Sequence, residues 1–196
     1  VPNVSVNFSN VASATTPAVT TLVTAYGMNE GSGTTLTDTS GNGHTGTLVN
    51  GPAWVAGQAP YGQALSFDGV DDELAVTNPS AFNFGTQDFT IELWAQRTVL
   101  GGHQQHLFSK FNNTTSITGY KEFYFKANNV LAFGAHNTDV LSSTITDLTW
   151  HHYAVTHSAT TNVLNLYIDG VLTTTTTILL APDGADHLVK IGTLKS

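Results

Sequence analysis

Val163-Leu164-Asn165-Leu166-Tyr167-Ile168-Asp169-Gly170-Val171-Leu172-Thr173 is the stretch whose reading decides the fold. Its apolar and polar residues alternate with a period of two rather than 3.6, the pattern of a strand that buries one face. Asp169-Gly170 then supplies the two positive-φ positions that a tight hairpin requires, and Val171-Leu172-Thr173 resumes the strand. The threonine run Thr173 to Thr177 points the same way, because branching at Cβ restricts χ1 in a helix.

The alternation recurs outward from this hairpin, in Val4-Ser5-Val6-Asn7-Phe8 and in Phe89-Thr90-Ile91-Glu92-Leu93-Trp94-Ala95. In the latter, Phe89, Ile91 and Leu93 share one sheet face, which leaves Glu92 and Trp94 on the other. Turn signals separate the runs at short intervals: Ser40-Gly41-Asn42-Gly43-His44, Asn50-Gly51-Pro52, Asp68-Gly69, Gly101-Gly102, Asn128-Asn129 and Pro182-Asp183-Gly184. No window of normal helical length is amphipathic. Many short strands without intervening helices predict an all-β protein, an antiparallel two-sheet sandwich.

Composition narrows the function. Of 196 residues only 10% are charged, against about 25% in ordinary soluble domains, while 40% are hydrophobic. Six Lys and Arg face 14 Asp and Glu, a formal net charge of −8, so there is little to neutralise a row of phosphates or to hold an anionic lipid surface. Nucleic acid and membrane are excluded as expected partners. No stretch approaches the ~18 apolar residues of a membrane helix, and the basic start of a signal peptide is absent, which reads as a mature or excised segment. The chain has no cysteine, which removes disulfides, thiolate metal sites and a cysteine nucleophile.

Organisation divides at about residue 20. Residues 1–19 read as a strand followed by the small, polar, proline-ended linker Ser9 to Pro17, and residues 20–196 as one sandwich domain.

Four ordered motifs then carry a resemblance. Leu22 to Leu48, with Met28-Asn29-Glu30-Gly31-Ser32-Gly33 and Asp38-Thr39-Ser40-Gly41-Asn42-Gly43-His44, is followed by Gly62-Gln63-Ala64-Leu65-Ser66-Phe67-Asp68-Gly69-Val70-Asp71-Asp72. Phe89 to Trp94 comes next, then Trp150-His151-His152-Tyr153-Ala154-Val155-Thr156 with Leu166-Tyr167-Ile168-Asp169-Gly170. From Leu22 to Gly192 the chain resembles the laminin G-like jelly-roll domains of the concanavalin A-like lectin and glucanase superfamily. The resemblance implies a two-sheet antiparallel sandwich, usually one module of a larger secreted bacterial protein and hence extracellular or at the cell surface. It also implies a further strand after Leu188 to Ile191, and no matching pattern follows there. Val4 to Phe8 could fill that place, in cis or by strand addition from a neighbouring subunit through Val4, Val6 and Phe8.

The resemblance further implies a structural Ca²⁺ in the Asp38 to His44 loop, held by the Asp38 carboxylate, Asn42 and the His44 carbonyl, with Glu30 as a weaker ligand. Calcium takes six to eight oxygens, which a glycine-rich loop can turn inward; alternatively Asp38 caps backbone N–H groups in an ordinary turn. Asp68 to Asp72 is either a second calcium loop or a hairpin turn. The histidines do not make a zinc site, since His151 and His152 point to opposite faces of a strand and His103 and His106 are only loosely spaced.

Catalysis is weakly supported. A retaining glycosidase needs two carboxylates about 5 Å apart, and the Glu92 strand offers one. Tyr124-Phe125-Lys126-Ala127-Asn128 and Gln105-His106 share only the beginnings of alginate-lyase motifs and read better as part of a hairpin, Phe123 to Lys126 and Val130 to Phe133. Large aromatics fill cores before they line sites, so Phe67, Trp94, Trp150, Tyr153 and Tyr167 are read as core. Trp54, Tyr61, His103, Asn112 and Tyr120 lie in turn-rich stretches and are the candidate ligand contacts. The glycosylation sequons at Asn3, Asn7, Asn112 and Asn113 are chance matches in a Thr-rich chain. The expected function is non-catalytic recognition or adhesion outside the cell, with a glycan as first partner and a cell-surface protein as the other, stabilised by Ca²⁺. The alternatives are a self-assembling subunit of a surface fibre and a polysaccharide-active enzyme.

Overall fold

Fifteen strands in the described residues pair into two sheets. A computed structural model gives residues 4–7, 22–85, 87–111, 119–135, 138–184 and 187–192. Phe8, the linker, Asn3, Asn112 and Asn113 lie outside the described residues. In chain order the strands are β1 (Val4–Asn7), β2 (Thr35–Leu36), β3 (Gly46–Val49), β4 (Ala53–Ala56), β5 (Gln63–Phe67), β6 (Glu73–Val76), β7 (Phe89–Arg97) and β8 (Gln105–Phe111). They continue as β9 (Lys121–Phe125), β10 (Val130–Ala135), β11 (Thr138–Thr144), β12 (Trp150–Ser158), β13 (Val163–Ile168), β14 (Val171–Thr177) and β15 (Leu188–Ile191). The helical element among the described residues is one 3₁₀ turn, Pro79–Phe82.

The sheets are a seven-stranded one, β14-β13-β12-β7-β1-β5-β4, and an eight-stranded one, β11-β10-β9-β8-β15-β6-β3-β2. This is the antiparallel two-sheet sandwich expected from the period-two pattern, in the jelly-roll form that the resemblance implies. The hairpin from which that expectation started closes with Ile168 opposite Val171 and with Asp169 and Gly170 at φ 51° and 76°. Both central residues in the left-handed region match the right-handed twist of the flanking strands. In β7, Phe89, Ile91, Leu93, Ala95 and Arg97 are buried and the residues between them are half-exposed or exposed. The core between the sheets is dominated by Phe67, Leu93, Phe123, Phe125, Phe133 and Leu166.

Three features depart from a simple one-face reading. Every residue of β9 is buried, so both faces of the middle of the eight-stranded sheet are covered. Asp68 to Asp72 is not a hairpin turn: β5 belongs to one sheet and β6 to the other, so these residues form the corner where the chain crosses between sheets. Two lysines, Lys110 and Lys121, lie opposite each other on the core side of β8 and β9 and are 0% and 1% exposed.

Those lysines tie two connections to the sheet, β6–β7 and β14–β15. Lys121 Nζ donates to Asp183 Oδ1 (2.9 Å) and to the Ala181 carbonyl (3.2 Å), while Asp183 Oδ2 accepts the Gly85 N–H. Lys110 Nζ donates to the Pro79 carbonyl (3.1 Å) and to Asn83 Oδ1. Burial lowers the Lys110 pKa, Asp183 opposes that shift, and Lys121 adds to it. One carboxylate thus neutralises a buried cation and holds the 3₁₀ turn region and the β14–β15 connection against the sheet end.

The N-terminal strand β1 occupies the interior of the seven-stranded sheet. It is antiparallel to β5, with Val4, Ser5 and Val6 opposite Phe67, Ser66 and Leu65, and antiparallel to β7, with Val4 to Asn7 opposite Arg97 to Trp94. No described helix is long and apolar enough to cross a membrane.

Candidate functional site

The outer face of the seven-stranded sheet is built by register. Trp94 of β7 stands opposite His152 of β12, Glu92 opposite Ala154, and Gln96 opposite Trp150. Tyr167 of β13 is opposite Ala154 and so joins the same face. Trp94, Trp150 and Tyr167, read from the sequence as core, are therefore half-exposed on the outside. Leu93 and Tyr153, one residue along their strands, fill the interior instead. Phe67 and Tyr153 are core as expected, at 0% and 2% exposure.

Three rings run across this face. Tyr61 and Trp94 have centroids 5.6 Å apart at 34°, and Trp94 and His152 have centroids 5.6 Å apart at 59°. Tyr61 is delivered by the β4–β5 loop, closed by Gly57 N–H to the Gly62 carbonyl (2.9 Å) and Tyr61 N–H to the Gln58 carbonyl (2.7 Å). Gly62 sits at φ +94°, and a Cβ there would lie 2.1 Å from Asn29 Oδ1, so only glycine lets the loop close against Asn29. Asn29 Oδ1 in turn accepts the Gln63 N–H at 3.2 Å.

Beneath the rings, His152 Nε2 lies 3.8 Å from Glu92 Oε2, too far for a hydrogen bond, and has no hydrogen-bond partner among the described residues. Burial raises the Glu92 pKa; burial also lowers that of His152, against the pull of Asp169. Both shifts favour the uncharged forms. The described Lys and Arg residues all lie elsewhere: Arg97, Lys110 and Lys121 are buried, and Lys126 and Lys190 pair with Asp139 and Glu73 of the other sheet. The face therefore offers flat rings, an amide, a carboxyl and an imidazole, with no described cation.

His151 has a different surrounding from its neighbour. Its Nδ1 meets Asp169 Oδ2 at 2.6 Å and its Nε2 meets Asp147 Oδ1 at 2.8 Å, which joins the β11–β12 connection to the β13–β14 turn. Burial opposes the charged ring, but the hydrogen bonds to Asp169 and Asp147 outweigh it and raise the His151 pKa. A raised folded value contributes stability that is complete below the unfolded pKa, about 6.5, and is lost as pH rises through the folded value. Melting midpoints are therefore expected to decline from pH 6 toward pH 9, and in His151→Gln that part of the slope should disappear. An unchanged slope in the variant would remove His151 as its source.

The loop expected to hold calcium is filled by the protein's own donors. Asp38 Oδ1 accepts the N–H of Ala25 (3.0 Å) and Ser40 (2.9 Å), and Oδ2 accepts that of His44 (3.0 Å). The His44 carbonyl accepts the Tyr26 hydroxyl. The side-chain nitrogen of Asn42 donates to the carbonyls of Leu22 (2.6 Å) and Val23 (3.0 Å), and Glu30 Oε1 accepts the Thr37 N–H (2.9 Å). Burial would raise the Asp38 carboxyl, but these N–H groups overcome it and hold it well below the usual carboxylate range. N–H groups, rather than a cage of oxygens, converge on the carboxylate, and that donor set does not fit Ca²⁺. At the inter-sheet corner, Asp68, Asp71 and Asp72 have carboxylate oxygens within 4.8 Å of one another, and there too Asp68 Oδ1 accepts the Val70 N–H (2.8 Å) and Asp72 Oδ2 the Asp68 N–H (2.9 Å).

Of the residues expected to contact a ligand, Tyr61 reaches the ring face. Trp54 lies on β4, not in a turn, opposite the buried Leu65; it packs against the core and its Nε1 donates to the Gly33 carbonyl (3.2 Å). Tyr120 is 9% exposed, with its ring edge-on to Phe111. Both corrections have one cause: the aromatic area is buried where the strand's parity or the β8–β9 connection turns it inward. His103 is exposed in the β7–β8 connection, away from any ring contact with this face among the described residues. Trp94, His152, Trp150 and Glu92 share this face and are not among the ligand contacts expected from the sequence. The signal was present in the alternation of β7, which put Glu92 and Trp94 on the face opposite Leu93.

Comparison with known proteins agrees with the sandwich. A family model described as concanavalin A-like lectin/glucanases superfamily matches residues 68–195. A search of curated proteins finds no match. Among solved structures, a Trypanosoma rangeli sialidase in complex with 2,3-difluorosialic acid superposes at TM-score 0.61 with 14% identity, over 84% of this chain but only 26% of the sialidase. Domain 4 of AbnA, an extracellular arabinanase of Geobacillus stearothermophilus in complex with arabinotriose, superposes at TM-score 0.59 with 17% identity, covering 80% of this chain and 77% of that one. At such identities the likeness is one of fold. With the family match spanning well over half of the sequence, the chain belongs to the concanavalin A-like lectin/glucanase superfamily.

Proposed function

We propose that this chain is a non-catalytic carbohydrate-recognition module that works outside the cell, and that its ligand lies on the outer face of the seven-stranded sheet. The observation that carries this reading is the row Tyr61, Trp94 and His152, with rings 5.6 Å apart on a half-exposed sheet face. The C–H face of a sugar ring packs on such aromatic planes, and Glu92, Gln96 and His152 supply hydrogen-bonding groups for its hydroxyls. Support comes also from the shared fold of the arabinanase domain described with arabinotriose. The face has no described Lys or Arg and carries Glu92, so it suits an uncharged oligosaccharide better than a sialic or uronic acid. Glu92 faces His152 rather than a second carboxylate, so the pair of acids used by glycosidases is not assembled there.

A panel of neutral and anionic glycans tests this. Saturable binding is expected within the neutral set, and Trp94→Ala should weaken it by about 30-fold or more, as for loss of an aromatic hot spot, without changing the melting midpoint greatly. Trp54→Phe, on the opposite side of its strand, should leave the affinity unchanged. Binding that survives Trp94→Ala, or that is confined to anionic glycans, overturns the assignment.

A further inference from the structure

We infer that β1 is an exchangeable strand: the slot it fills between β5 and β7 also accepts Val4–Asn7 of a second copy of this chain, which links copies head to tail. The slot is a definite object. β1 is antiparallel to both neighbours, so β5 and β7 run parallel to each other. With adjacent strands about 4.8 Å apart, removing β1 leaves a gap of roughly 10 Å that β5 and β7 cannot close by bonding directly. Two rows of backbone N–H and C=O groups would then face each other unpaired in the middle of the sheet.

The slot selects its occupant by pattern. The backbone partners of Val4 are Phe67 and Arg97 and those of Val6 are Leu65 and Ala95, all four buried, so the slot is walled by buried residues at these positions. Ser5 and Asn7 sit in register with Ser66, Gln96 and Trp94 on the outer face. Covalently, β1 is joined to the rest of the fold only through residues 8–21, fourteen residues leading to Leu22.

That connection sets the competition between copies. Fully extended, it spans roughly 50 Å, longer than the roughly 40 Å width of a domain of this size. The strand can therefore reach its own slot or a neighbour's. Two ends joined by about this many residues meet at an effective concentration on the order of millimolar, so closure within one chain dominates in dilute solution and exchange becomes competitive at comparable protein concentration. Because the donor strand and the acceptor slot are different surfaces, each copy offers one of each: two copies can exchange strands reciprocally, and further copies can add head to tail.

The absence of native cysteine makes the test direct. Ser5 and Ser66 are opposed in register, so a disulfide between these positions reports β1 in the slot. A Ser5→Cys chain and a Ser66→Cys chain are mixed, unfolded, refolded at ~1 mM and at ~1 µM and then oxidised, and the double variant is treated alike. The double variant at low concentration should give an internal disulfide and a monomer. The mixed single variants at high concentration should give a covalent dimer joining position 5 of one chain to position 66 of the other, reduced at least tenfold at the low concentration. A second measurement adds an excess of free peptide spanning residues 1–10, which should cap the slot and suppress that dimer. If the double variant closes internally while the mixed single variants give no such dimer at high concentration, β1 is fixed in cis and the inference fails. If the double variant forms no internal disulfide, β1 does not hold this register and the inference fails as well. Glycan binding plays no part in these readouts.

Discussion

Asp183→Ala is expected to lower the free energy of unfolding by about 3–5 kcal/mol, a third or more of the total for a typical domain. The carboxylate is the charged partner of Lys121 Nζ at 2.9 Å, both side chains are 1% exposed, and its second oxygen takes the Gly85 N–H. Truncation leaves a buried ammonium with carbonyl partners only and a backbone N–H without an acceptor. Desolvating a charge that is no longer paired is what makes the loss large. The same reasoning predicts that Lys121→Met with Asp183→Leu, which removes both charges and replaces them with apolar volume, recovers most of the loss. Urea denaturation of the three proteins decides it. An Asp183→Ala midpoint equal to the parent's would mean that water reaches Lys121 and that the network at the sheet end is not a buried one.

Asp38→Ala should cost about 3 kcal/mol, because three backbone N–H groups, from Ala25, Ser40 and His44, lose a charged acceptor together. Asp38→Asn keeps an oxygen but not the charge and should lose less. The protonation linkage has a definite sign. A folded pKa held below the ordinary value contributes stability that is present above the unfolded pKa, about 4, and is lost as pH falls through the folded value. Parent protein should therefore lose stability below pH 4 by an amount that Asp38→Asn does not show. Since protein N–H groups already occupy the carboxylate, adding a chelator should leave the melting midpoint where it was. A midpoint that drops with chelator and returns with Ca²⁺ would reinstate the metal at this loop.

These two predictions rest on residues that the sequence reading treated unequally. Asp38 was visible as a loop acid with two roles open to it; that the Ala25, Ser40 and His44 amides all reach it was not. Those amides come from two segments brought together by the Tyr26–Asp38 bridge, a contact between residues that no local pattern connects. Asp183 looked like a turn residue of Pro182-Asp183-Gly184. Its partner, Lys121, had no assigned role, and in β9 period two places it on the side of Phe123 and Phe125. That side is the core, and a lysine is tolerated there because Asp183 and the Ala181 carbonyl meet the ammonium.

The ring face shows the same division. Alternation in Phe89 to Arg97 was legible and was enough to separate Leu93 from Trp94. It could not say that the Trp94 side is the outer one for β12 as well, since that follows from Trp94 being opposite His152. Nor could it bring Tyr61, on a loop thirty-three residues away, to within 5.6 Å of Trp94. Trp54 and Tyr120 were assigned by the turn-rich look of their surroundings, a compositional cue that carries no information about which way a side chain is turned.

By itself the sequence determined that the chain is all-β, where its best hairpin turns, which residues of each strand share a face, and that cations are too scarce for a phosphate-binding role. Those properties depend on local geometry and on composition, which are written along the chain. Only the tertiary structure decided which face of each sheet is outside, that β1 lies in the middle of a sheet rather than at its edge, and that Lys121 meets Asp183 inside the sandwich. The reason is that each depends on strands distant in sequence pairing in one register, and a slip of a single residue would exchange the two faces.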